Sequence, residues 1–90
     1  MLNKVKTALR ISHNYLDNDI NDTIATSRME MIRSGVAVDV ANGDDKLVQM
    51  AIKTYCLSIY SPDDKAREGY AKSFELQLDC LRKSTGYGNV

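Results

Sequence analysis

Apolar residues in this chain recur at intervals of three and four, the spacing that lines one face of an α-helix. Leu2, Val5, Ala8 and Leu9 mark a short first helix whose other side carries Lys4, Lys6 and Thr7. Ile11 to Tyr15 breaks the pattern and reads as a loop. A second helix starts at Asp17 or Asp19, whose carboxylate suits the free amides of a first turn. Leu16, Ile20, Ile24 and Met31 form its stripe, with Ser27 in the gap and Ile32 on the flank. Gly35 ends it, because a left-handed residue costs glycine little.

The period then changes. Val36, Val38 and Val40 alternate with Ala37, Asp39 and Ala41, which predicts an extended segment or one short strand. A lone strand cannot satisfy its own backbone, so it must lie along a helix, pair with another chain or stay wet. Asn42-Gly43 makes a turn, and Asp44 and Asp45 open a helix that runs from Asp45 to Tyr60. Val48, Ala51, Ile52, Tyr55 and Ile59 share one face, while Leu47, Met50 and Leu57 lie off it. A helix apolar on more than one side belongs at the centre of a fold. Ser61-Pro62-Asp63-Asp64 is a boundary, with Ser61 as cap and Pro62 in the first turn of a last helix reaching Lys83. Its stripe is Tyr70, Phe74, Leu78 and Leu81, and its terminal charges, Asp63 and Asp64 against Arg82 and Lys83, complement the helix dipole. Ser84 to Val90, with Gly86 and Gly88, reads as a flexible tail. The expectation is an all-α, compact bundle of about four helices with one extended loop: a single helical domain over 1–83, then the tail 84–90.

Composition narrows the function. A chain of 90 residues makes one domain with modest stability of its own, which assembly would raise. Twelve basic residues balance twelve acidic ones, so the basic excess of a tight, autonomous DNA binder is missing, although a local basic face remains open. No apolar run approaches the ~20 residues that span a bilayer, and Met1 to Arg10 lacks the apolar block of a signal peptide. A cytoplasmic site of synthesis is expected. Cys56 and Cys80 read as reduced thiols in helices.

Catalytic chemistry is hard to find. His13 is the single histidine, and it sits in a loop far in sequence from both cysteines. Asp17-Asn18-Asp19-Ile20-Asn21 resembles the opening of a calcium loop, but Asp22 and Arg28 stand where that loop needs Gly and Glu. The acidic run is read as a helix N-terminus instead. No glycine-rich phosphate loop and no zinc pattern occurs, so no cofactor, no metal and no enzymatic activity are expected. Lys4, Lys6 and Arg10 do not share one helical face and read as ordinary polar surface. Met29, Met31 and Met50 sit in and beside the apolar stripes, where flexible thioethers suit cores and adaptable interfaces alike.

One stretch is more specific. Val5-Lys6-Thr7-Ala8-Leu9-Arg10-Ile11-Ser12, then Tyr15-Leu16-Asp17-Asn18-Asp19-Ile20, then a helix through Ile24 to Ile32, resembles the opening of the head–tail connector proteins of tailed bacteriophages. Leu47 to Ile52, continuing to Tyr60, is similar to that family's core helix, and the likeness covers most of residues 2–83. The resemblance implies a structural subunit, about a dozen copies of which form a ring by head-to-tail contacts. The ring would lie between the portal protein of the DNA-filled head and a tail-side completion protein, around the DNA exit channel. Its partners would be itself, those two proteins and transient, non-specific DNA, with no membrane. It would occupy the bacterial host cytoplasm during assembly and the virion head–tail junction afterwards. On that reading Val36, Val38 and Val40 are candidates for the subunit interface, and Tyr70, Phe74 and Tyr87 for docking a partner. The alternative is a small helical regulatory or nucleic-acid-binding module. It needs a basic recognition helix, and Asp45 to Tyr60 offers only Lys46 and Lys53.

Overall fold

The structure, a computed structural model, describes residues 1–83; the tail 84–90, with Tyr87, lies outside the described residues. Five helices follow one another: α1 (Leu2–Leu9), α2 (Asp17–Arg33), α3 (Val38–Ala41), α4 (Lys46–Tyr60) and α5 (Asp64–Lys83). The four long ones are those the apolar periodicity predicts. α4 is the centre, packed against α1, α2 and α5, and α3 rests on α2. The core is one cluster. Val5 of α1, Ile20 and Met31 of α2, Val48 and Ile52 of α4 and Leu78 of α5 are all buried in it. Ser27 fills the gap in the α2 stripe and is buried, its hydroxyl donating to the Ile24 carbonyl at 2.6 Å.

Two turns are closed by left-handed residues. Gly35, at φ +106°, ends α2: its N–H donates to Ile32 O, and that of Val36 donates to Met31 O, both at 3.0 Å. Val36 and Met31 are both fully buried, which supplies the apolar contact that goes with this kind of helix end. α1 ends the same way, with Arg10 at φ 58° in the position glycine usually holds and Ile11 N donating to Lys6 O at 2.9 Å.

Four local expectations are corrected. The segment Val36 to Ala41 is not extended throughout. Ala37 is, at φ −57° and ψ 140°, but Val38–Ala41 closes into a helical turn, with Ala41 N donating to Ala37 O at 2.9 Å and Asn42 N to Val38 O at 3.0 Å. The Arg28 guanidinium captures the turn's far end, donating to Ala41 O at 2.8 Å and Gly43 O at 2.9 Å. Sequence period cannot register that tertiary clamp. Second, α2 has Leu16 at its N-cap and no side-chain cap; Asp17 instead faces Lys6. Third, Lys6 is not on the wet side of α1 but nearly buried, its ammonium 2.8 Å from Asp17 Oδ1 and donating to Asn14 Oδ1 at 2.8 Å. The Asp17 contact is an ion pair without hydrogen-bond alignment. Fourth, α5 starts two residues later than Pro62, because Asp63 takes the capping role by accepting from Ala66 N at 3.1 Å. Asp45, by contrast, caps α4 as expected, accepting from Leu47 N at 2.9 Å.

Candidate interaction surface

The Asp45 cap fixes where α4 begins and therefore which way each of its side chains points. Val48, Ala51 and Ile52 turn inward. Leu47 and Met50 turn outward, and Met50 remains 54% exposed. Beside them α5 presents Leu76, 68% exposed, one helical turn from Cys80. Leu47, Met50, Leu76, Gln77, Cys80 and Leu81 line an apolar groove of about 240 Å³ between the two helices. The Gln77 Oε1 is buried, without a hydrogen-bond partner among the described residues. An unsatisfied acceptor buried in this way costs about 1–3 kcal/mol.

A second groove, of about 430 Å³, lies between α1 and α4. Lys4, Thr7, Lys46, Gln49, Met50 and Lys53 line it, so Met50 forms the ridge between the two grooves. Lys4 Nζ donates to Gln49 Oε1 at 2.7 Å, and Gln49 Nε2 donates to Asp44 O at 2.8 Å. Lys46, Gln49 and Lys53 fall one helical turn apart on α4, a spacing legible in the sequence. The addition of Lys4 from another helix is not legible there.

Met29 of α2 and Val38 of α3 are also exposed, at 67% and 51%. The candidate interface residues thus fall in different places: Val36 in the core, Val40 half-buried against it, and Val38 in solvent. Of the docking candidates, Phe74 is buried with its ring 4.9 Å from that of Tyr55, and Tyr70 is half-buried on α5. The methionines divide likewise, with Met31 in the core and Met29 and Met50 outside.

His13 is exposed, its Nδ1 accepting from Tyr15 N at 3.3 Å. The acidic run that resembles a calcium loop forms the first turn of α2. Among the described residues no group of three or more His, Cys, Asp or Glu side chains is placed to hold a metal ion. None of the described helices is long and apolar enough to cross a membrane. Burial pushes the Cys56 thiol up to about 11. Asp79 is held below the usual carboxylate range by hydrogen bonds from Lys83 and Arg82.

This surface is one of grooves and exposed apolar side chains on a helical body, suited to contact with other molecules. Residues 1–82 match the family model described as phage connector protein, a span that takes in all of α1 to α4 and α5 up to Arg82. No curated protein and no solved structure matches the chain. The match covers the arrangement that the first-helix motif and the central helix point to, and the chain belongs to the phage connector protein family, structural proteins of the virion head–tail junction that associate with other head and tail components.

Proposed function

We propose that the chain is one subunit of a head–tail connector ring, joining the portal of the DNA-filled head to the tail and surrounding the DNA exit channel. The observation that carries this reading is the family match over residues 1–82. The surface supports it physically. A ring closes only if one surface of a subunit meets a different surface of the next. Exposed apolar side chains lie on different elements: Leu47, Met50 and Leu76 along the α4–α5 groove, Met29 on α2 and Val38 on α3. Val38, with half-buried Val40 beside it in α3, remains a candidate for the interface; Val36 serves the core of its own subunit. On α5, Tyr70 remains a candidate for docking the portal or a tail-side completion protein.

Light scattering on the purified chain across a wide concentration range tests the reading. A discrete species of about a dozen subunits is expected, by self-association or on a portal template. A chain that stays monomeric and binds neither portal nor any tail component would overturn it.

A further inference from the structure

The larger groove gathers three of the chain's twelve basic residues, Lys4, Lys46 and Lys53, in a molecule whose charges otherwise balance. No carboxylate lines it, and none of the three lysines is in an ion pair with a described residue. We propose that this α1–α4 groove is a phosphate-backbone contact for double-stranded DNA. The inference rests on the connector reading and names the face of the subunit that meets the DNA.

The lining residues select the ligand. Lysine is a compact point charge on a flexible stem, which neutralises a phosphate without demanding one geometry. Bidentate arginine would grip more firmly, and no arginine lines the groove. Single-stranded nucleic acid is held by stacking its bases on aromatic rings. The groove has none, which favours a duplex. Base edges are read by side chains with free donors and acceptors. Gln49 is the one amide present, and its oxygen and nitrogen are engaged by Lys4 Nζ and Asp44 O. With no free amide and no arginine in the groove, flexible ammonium groups on phosphate give a contact that is largely sequence-independent. Three charges per subunit give weak, salt-labile binding, which lets a duplex slide. Met50 lines both this groove and the apolar one, so a neighbour seated on the apolar groove lies directly beside the lysines. Assembly would then repeat the basic groove around the ring.

The test uses the full chain, a 30-base-pair duplex of random sequence, and four proteins: wild type, Lys4→Gln/Lys46→Gln/Lys53→Gln, the same triple change to Arg, and Lys65→Gln/Lys72→Gln on exposed positions of α5. Binding is measured by fluorescence anisotropy between 50 and 200 mM salt, with the oligomeric mass and helical content of each protein alongside. Three neutralised phosphates predict a log–log salt slope of about −2.7 per bound subunit, a loss of about 40-fold over that range. The Gln triple variant should keep its fold and mass and lose at least tenfold in affinity, with a flatter slope. The Arg triple variant should bind at least as tightly as wild type, and the α5 control should change little. Equal loss in the α5 control would reduce the effect to overall charge and overturn the groove. So would a Gln variant that keeps duplex binding but no longer captures the portal, which would assign the lysines to a protein partner. Rings that form normally but bind no duplex at low salt would overturn this proposal and leave the connector reading standing. Failure to assemble or bind any virion component would sink the connector reading separately.

Discussion

At Arg10 the chain does with an ordinary residue what it does with glycine at Gly35. Both close a helix with positive φ, 58° at Arg10 and +106° at Gly35. A side chain in that region costs about 1–2 kcal/mol, while glycine loses about 0.4–1 kcal/mol more backbone entropy on folding. The first effect wins, so Arg10→Gly should stabilise the fold by about 0.5–1 kcal/mol in urea unfolding. Gly35→Ala should run the other way, by about 1–2 kcal/mol. Its added Cβ would meet Arg82 Cδ at an ordinary 3.5 Å, so the loss comes from the backbone and not from a clash. Cys56 permits a chemical test. With its thiol pushed up to about 11, only about one in a thousand is thiolate at pH 8. In a Cys80→Ser background, Cys56 should resist a thiol reagent at pH 8 and react once the chain unfolds in urea; rapid labelling of the native protein would contradict its burial. The sign for stability follows. Because folding raises this pKa above the ordinary 9.0, the contribution is full below about pH 9 and is lost as pH rises toward 11.

At the scale of elements, α3 is the piece that the local pattern misassigns. Its valines alternate, and alternation is the mark of a strand. A four-residue turn has no room to declare a helical period, and the Arg28 clamp on Ala41 O and Gly43 O holds it. Hydrogen bonds to a charged donor contribute about 1.5–3 kcal/mol each when buried, and this site is only partly so. Arg28→Met should cost about 1–3 kcal/mol in total and speed amide exchange at Ala41 and Asn42 first. Exchange unchanged there would mean that packing on α2 alone holds the turn. α4 presents the opposite case. Its apolar residues on two sides placed it correctly at the centre, and Asp45 caps it as the sequence predicts. Where the second apolar side faces was not legible, because that depends on how far α5 reaches across it.

At the scale of the whole molecule, the described residues form a thin body with extents of 40 × 25 × 18 Å. Packed helices lie about 8–10 Å apart axis to axis, so 18 Å is only about two helices deep. A central helix cannot be covered on every side in such a body, and Leu47, Met50 and Ile59 of α4 remain about half exposed. Their exposure follows from the size of the chain and leaves apolar surface that the proposed assembly would cover. Leu76→Glu should therefore change monomer stability by no more than about 0.5 kcal/mol, since Leu76 is 68% exposed, yet block the oligomer that the proposed ring predicts in light scattering. Ile52→Ala, fully buried, should cost about 2–5 kcal/mol instead. If Leu76→Glu assembled normally, the apolar groove would not be the seam.

The apolar spacing by itself determined the four long helices, the central place of Lys46–Tyr60 and the Gly35 stop, because helical period and chain breakers are local properties. The short motif from Val5 to Ile32 was enough to point to the connector family. Packing between helices is what turns Lys6 inward to Asp17 while Lys4 joins Lys46 and Lys53, and what makes Val36 core and Val38 surface. These outcomes depend on which helix lies across from which. A neighbour 40 or more residues away supplies the Lys4 partners, and no window of sequence contains both sides of that contact.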